Sequence, residues 1–228
     1  MRLRLSALLL ATSVAVAPAT FAAEYTWDMP NGFGATSSDG VGDVVFTEAV
    51  ETKSGGRIDI VNHFGGSLGI KIVDHLEAVR DGVVPIARQA MPYLGGYDPL
   101  FLLSTLPFLM QDQDDVWALY EIAKPTYEAL FLEHGQVMLG MGLFPPSGLW
   151  SREPVTSKEA LENLKVRTYD LNGLETLKRA GAAAINMGWG DVFPALSTNA
   201  LDAVLTSADL GISSGIQEFL PVFMEINW

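Results

Sequence analysis

Short apolar runs alternate with amphipathic stretches along most of the chain. Tyr25 to Met29 predicts a first strand, stopped by Pro30-Asn31-Gly32. Val41, Val44, Val45, Ala49 and Thr52 recur at helical spacing, and Gly55-Gly56 ends that helix. Arg57 to His63 sets Ile58, Ile60 and Asn62 against Asp59 and Val61, the two-residue period of a strand. Ile70 to Asp81 reads as a second helix with Ile72, Val73, Leu76 and Val79 inward, and Val83 to Ala87 as a third strand. Strand-helix-strand-helix-strand is the order of a parallel α/β sheet.

Met91 to Met110 holds Gly95-Gly96, Pro99 and Pro107 and reads as irregular. Two helices are expected next, Gln113 to Ala123 and Pro125 to His134, followed by an apolar strand from Gln136 to Leu143. The alternation restarts after Phe144-Pro145-Pro146. Thr156-Ser157-Lys158-Glu159 opens a short helix as a capping box. Lys165 to Thr168, Ala182 to Met187 and Asp202 to Thr206 then read as strands, with helices at Gly173 to Ala180 and Asp191 to Ser197. The expected architecture is α/β and two-lobed, with a mixed or parallel sheet in each lobe, residues 24–144 forming the first and 145–228 the second. Lobes of this kind bind ligands beyond the carboxyl ends of their strands, so two facing lobes enclose a cleft.

The first residues depart from this pattern. Arg2 and Arg4 precede an apolar run from Leu5 to Ala17, and Ala19-Thr20-Phe21-Ala22-Ala23 supplies a small-residue end. This is the layout of a secretory signal peptide over residues 1–23, cleaved between Ala22 and Glu24, which directs the protein to the periplasm. The apolar run is short of the roughly 20 residues a spanning helix needs. Without cysteine, neither a lipid-anchored cysteine nor a disulfide is available. The net charge of −13 argues against nucleic acid, whose phosphates need clustered Lys and Arg. It does not exclude a small anion, because one arginine in a cleft outweighs a screened global field.

Gly65-Gly66-Ser67-Leu68-Gly69 matches the nucleophile elbow of serine hydrolases, which makes a secreted hydrolase using Ser67 the alternative reading. His75 follows too soon to leave room for the usual intervening acid, and a glycine-rich turn accounts for the segment more simply. Asp74-His75-Leu76-Glu77 offers metal-ligand types but no second histidine at helical ligand spacing. Neither a dinucleotide fingerprint nor a Walker loop is present, so no cofactor, metal or catalytic residue is expected. Arg167 ends the strand Lys165-Val166-Arg167, where a guanidinium can clasp a carboxylate with two parallel hydrogen bonds. From position alone a surface arginine at a strand end is the favoured reading.

A resemblance shifts that balance. Thr52-Lys53-Ser54-Gly55-Gly56-Arg57-Ile58, Ser67-Leu68-Gly69, Leu76-Glu77-Ala78-Val79-Arg80-Asp81-Gly82 and Leu106-Pro107-Phe108-Leu109 follow one another in order. Leu164-Lys165-Val166-Arg167 and Ala195-Leu196-Ser197-Thr198-Asn199-Ala200-Leu201-Asp202 come after them. Together they resemble the substrate-binding subunits of tripartite ATP-independent periplasmic (TRAP) transporters, the DctP-like family.

The resemblance implies capture of a small organic acid between the lobes and delivery to integral membrane subunits, by a protein expected to be monomeric. Arg167 falls on the family's carboxylate-clasping arginine, and Ser207 on a frequent polar ligand contact. Trp189 is expected to line the cleft or to pack in the core, and Gln89 and Asn31 to face the cleft from the ends of strands in the first lobe. Asn163, Asn199 and Ala203 replace customary glycines, Asp191 a customary glutamate, and Gly142 to Trp150 lacks a second arginine that some members use. These departures point to a ligand with fewer charges than a dicarboxylate or sugar acid. Family members continue well beyond Trp228, so the chain resembles a C-terminally shortened member whose second lobe and hinge are incomplete.

Overall fold

The computed structural model describes residues 22–228. The proposed leader lies almost entirely outside them. The elements are β1 (Tyr25–Pro30), α1 (Ser38–Ser54), β2 (Ile58–His63), α2 (His75–Arg80), α3 (Gln113–Glu133), β3 (Ser147–Ser151) and α4 (Lys158–Leu161). They continue with β4 (Lys165–Thr168), α5 (Leu171–Arg179), β5 (Ala183–Asn186), α6 (Val192–Ser197), β6 (Ala203–Ser207), α7 (Ala208–Ser214) and β7 (Val222–Met224). β1 and β2 pair in parallel, Tyr25 opposite Ile58 through Pro30 opposite His63. The second sheet has the order β5-β4-β6-β3-β7, with β5, β4 and β6 parallel and β3 antiparallel to both neighbours. The architecture is therefore mixed α/β, with one sheet in each lobe.

Several expectations are corrected. Val83 to Ala87 forms no strand: its approach to β1 yields one ladder-like bond, from the Arg88 N–H to the Pro30 carbonyl at 3.1 Å. Gln136 to Leu143 is also unpaired among the described residues, so Val137 and Leu139 stand 72% and 63% exposed. The two helices expected around Pro125 are one, α3, because losing a single backbone donor is outweighed when Ala123, Tyr127, Leu130 and Phe131 all pack inward. Ile70 to Asp81 begins instead as a single 3-10 turn over Ile72–Asp74, and buries Ile72, His75, Leu76 and Ala78. Met91 to Met110, expected to be irregular, holds two 3-10 helices, Met91–Leu94 and Pro99–Thr105. The cap at α4 is Ser157, whose side chain accepts from the Ala160 N–H.

Two strands were missed entirely, β3 and β7; in β3 Ser147-Gly148-Leu149-Trp150-Ser151 is buried at every position and lacks an apolar alternation. Gly148 admits the Met224 carbonyl and the Phe223 ring against its backbone, which a side chain would exclude.

Helix α1 has a mixed inward face: Phe46 and Val50 pack against Met29, Ile60 and Ile86, and polar side chains are buried beside them. Val41 and Val45 are 54% and 62% exposed, whereas Asp39, Asp43 and Thr47 are buried. Each inward polar group has a partner: Arg88 for Asp39, Asn31 for Asp43, and the Asn62 side chain for Thr47. Charged groups enter an interior only when so compensated.

The largest core cluster spans both lobes. Phe33, Ile72 and Ala90 pack with Trp150, Trp189, Val192, Val204 and Leu210. A second cluster ties α2 and α3 around Phe101, and a third fills the far side of the five-stranded sheet around Val166, Leu177 and Leu205.

Candidate functional site

A cavity of about 640 Å³ lies between the lobes. Phe33, Arg88, Gln89 and Tyr93 line it from the first part of the chain, and Ser147, Arg167, Tyr169, Trp189, Thr206 and Ser207 from the second.

Arg167 reaches it from β4, where Ile185 of β5 and Val204 of β6 flank its backbone. The residue is only 1% exposed. Its Nε donates to the Met187 carbonyl at 2.9 Å, Nη1 to the Leu205 carbonyl at 3.2 Å, and Nη2 to the Tyr93 hydroxyl at 2.9 Å. A guanidinium has five N–H groups, so one remains on each terminal nitrogen. None of the ion pairs among the described residues includes Arg167. Its carbon sits 5.4 Å from the Trp189 ring centre and 5.8 Å from that of Tyr169, so aromatic faces lie beside the charge, with buried Asp170 acting on it from beyond ion-pair distance.

The walls near it are apolar with few polar atoms. Trp189 packs edge-on against Phe193 and also lines the cavity. The Tyr169 hydroxyl lies 3.3 Å from Ser147 Oγ, and burial is the main cause that pushes its pKa up to about 12. It stays a neutral phenol at any physiological pH. Asp170, one residue on, caps α5 by accepting from the Gly173 N–H at 2.8 Å, and burial raises its pKa above the ordinary carboxylate value.

Four of the five sequence-derived candidates meet at the cavity: Arg167, Trp189, Ser207 and Gln89. The Ser207 hydroxyl is already engaged, capping α7 through the Leu210 N–H at 3.1 Å. The Gln89 side-chain amide donates to the Ala90 carbonyl at 3.1 Å. Asn31 is placed apart from the lining, fully buried, accepting from the Phe33 N–H and donating to Asp43 Oδ2 at 2.6 Å. It shapes the turn after β1 and holds an acid in place.

Arg88 is the lining residue that the sequence did not flag. Its Nη2 is hydrogen-bonded to Asp39 Oδ1, and its Nε lies 3.6 Å from Asp43 Oδ1. Burial raises both acids above the ordinary carboxylate value, against the opposing pull of Arg88. Tyr93 and Phe33 were also missed, since neither lies in a segment with a readable period.

Polar contacts bridge the rim of the cleft. The Ser38 N–H and hydroxyl donate to Asp209 Oδ2 at 3.1 and 2.8 Å, and Lys71 Nζ sits 3.2 Å from both Asp191 oxygens. Asn172 Nδ2 donates to the Leu102 carbonyl at 2.8 Å.

The hydrolase motif lies elsewhere. Gly65 and Gly66 adopt left-handed backbone angles in a 3-10 turn, and the following Ser67 is exposed. His75 is buried, its Nδ1 2.8 Å from the Arg88 carbonyl, with no hydrogen bond to Ser67. Burial holds its pKa below the ordinary imidazole value. Among the described residues no group of His, Asp and Glu is arranged to hold a metal.

Comparison with known proteins agrees with this geometry. Residues 34–227 match the family model of bacterial extracellular solute-binding proteins, family 7. The chain is 30% identical over 200 residues to the ectoine-binding periplasmic protein TeaA of Halomonas elongata, covering 82% of this chain and 58% of TeaA. It is 27% identical over 198 residues to the ectoine/5-hydroxyectoine-binding periplasmic protein UehA of Ruegeria pomeroyi, covering 84% and 57%. The chain thus spans somewhat over half the length of these curated relatives. Among solved structures, a marine metagenome TRAP solute-binding protein specific for pyroglutamate superimposes with a TM-score of 0.85 at 28% identity, over 91% of this chain and 67% of that one. The chain belongs to family 7 of the bacterial extracellular solute-binding proteins.

Proposed function

We propose that the protein captures a small organic acid in the interlobe cavity and presents it, from the periplasm, to the integral membrane subunits of a TRAP transporter. The observation that carries this reading is Arg167: a nearly fully buried guanidinium at a cavity, with two spare N–H groups and no carboxylate partner. A buried charge with no carboxylate in direct contact costs several kcal/mol, which a ligand carboxylate would offset. The names of TeaA, UehA and the pyroglutamate-specific protein support small carboxylate-bearing solutes as the ligand class.

The lobes are taken as residues 24–144 and 145–228, residues 1–23 as a cleaved leader, and the working form as a monomer. The mechanism is closure around a ligand, with no bond made or broken. Thermal-shift screening followed by calorimetry against a panel of organic acids, including pyroglutamate and ectoine, tests the reading. Ligand at about 100 times its Kd should stabilise the fold by roughly 2.7 kcal/mol. A folded protein whose melting temperature no acid raises would refute it.

A further inference from the structure

Two arginines line the cavity, yet they differ in what they can accept. Arg167 donates its hydrogen bonds to neutral acceptors and lies beside aromatic rings. Arg88 is flanked by two carboxylates from the inward side of α1, Asp39 and Asp43, and Asn31 fixes the second of these from behind. Counting ionised side chains, the Arg88 cluster carries one positive and two negative charges.

We propose that Asp39 and Asp43 act as a charge filter, cancelling Arg88 so that the site takes a monocarboxylate and rejects a dicarboxylate of the same size. This deepens the carboxylate reading above and rests on it.

Three observations bear on the idea. Asp39 and Asp43 are buried on α1 beside the packed Phe46 and Val50, while Val41 and Val45 of the same helix are turned to solvent. A helix that buries two acids while leaving two valines in solvent breaks a local rule, and such breaks concentrate at functional sites. Asp39 and Asp43 are themselves shut off from solvent, with side chains 4% and 11% exposed, so salt screens their pairing with Arg88 weakly. Finally, a second ligand carboxylate near Arg88 would have to compete with two fixed ones, and like charges in a site of low dielectric repel strongly. Specificity here arises by spoiling a second anion site.

The test uses matched pairs that differ by one charge, glutaramate against glutarate and succinamate against succinate, with pyroglutamate as a further monoacid. Calorimetry would be run on the wild-type protein and on the Asp39→Asn, Asp43→Asn and doubly substituted variants. Wild type should prefer the monoacid of a pair by at least about tenfold. Either single substitution should narrow that preference, and the double substitution should abolish or invert it while monoacid affinity changes less than about threefold. Asp→Asn preserves shape and one acceptor oxygen, and circular dichroism with a melting curve checks each fold. Should the wild type bind the diacid as tightly, or the variants keep the full preference for monoacids, the filter is overturned. Should no acid of any kind bind the wild type, the carboxylate reading itself falls, and the filter with it.

Discussion

The guanidinium of Arg167 donates from Nη2 to the Tyr93 hydroxyl at 2.9 Å, tying two residues 74 positions apart across the cleft. Tyr93 therefore orients the clasp from the opposite lobe. Tyr93→Phe should weaken the best-bound acid about three- to tenfold, the value of one ordinary hydrogen bond. Calorimetry checks this, and an unchanged Kd would show that Arg167 is held well enough by its two carbonyl partners.

Replacing Arg167 itself should be far more damaging. Truncating one partner of a buried charge pair costs about 2–5 kcal/mol, so Arg167→Ala should weaken binding by at least about thirtyfold. Arg167→Lys should recover only part of that loss, because an ammonium lacks the fork that engages both carboxylate oxygens. Equal affinity of the lysine variant and wild type would mean that charge alone is recognised.

The rim contacts should matter less, and in a salt-dependent way. Lys71 and Asp191 are well exposed, with side chains 64% and 53% accessible, and exposed pairs contribute about 0–1 kcal/mol. Lys71→Ala and Asp209→Ala should each lower affinity less than about fivefold. The Lys71→Ala effect should fade as salt is raised. Small-angle scattering should show a larger radius for the ligand-free double variant than for wild type. Identical radii would mean that these contacts do not hold the lobes together.

Buried acids set the pH dependence of stability. Burial is the first cause raising Asp39, Asp43 and Asp170, so the folded state keeps protons on them at pH values where the unfolded chain has released them. Their contribution is present below the unfolded value and lost as pH rises through the raised one. His75 acts in the opposite sense: burial lowers its pKa, so stability falls as pH drops below the ordinary imidazole value. The Asp39→Asn, Asp43→Asn double variant removes part of the first contribution and keeps the second. Between about pH 7 and 4, its melting temperature should fall more steeply than that of wild type. Parallel curves would show that Arg88 keeps both acids ionised throughout.

Close packing behind Ser207 gives a prediction for stability alone. A side chain at Gly211 of α7 would begin 2.5 Å from the Trp150 indole, whose N–H donates to the Ser207 carbonyl at 3.2 Å. Gly211→Ala should cost about 1–3 kcal/mol by overpacking, visible in a urea titration. An unaffected midpoint would show that the Trp150 ring can yield.

The sequence displayed those parts of the fold that local periodicity governs. β1, β2, β4, β5 and β6 fall within one or two residues of the expected ranges, because each alternates, forms a short apolar run or is bounded by glycine, proline or asparagine. β3 was invisible, since Ser147-Gly148-Leu149-Trp150-Ser151 has neither an alternation nor a sustained apolar run, whereas β6, equally buried, shows as Ala203-Val204-Leu205. Pairing was illegible for a different reason. Whether Gln136 to Leu143 gains neighbours depends on the rest of the molecule, and an apolar run looks the same paired or bare.

The site followed the same division. Arg167 could be located from its strand end and the motif around it. Its environment could not, because Tyr93, Met187 and Leu205 supply acceptors from three separate segments. Arg88 escaped notice since its meaning lies in Asp39 and Asp43, 49 and 45 positions away, on a helix whose valines suggested another orientation.

The three neutral acceptors around Arg167 also bear on timing. They fix the guanidinium before any solute arrives, so little side-chain freedom remains to be lost on capture. Encounter should then proceed at similar speed for all acids that fit the cleft, and discrimination among them should appear as residence time. A good substrate is one that leaves slowly enough for a membrane partner to receive it.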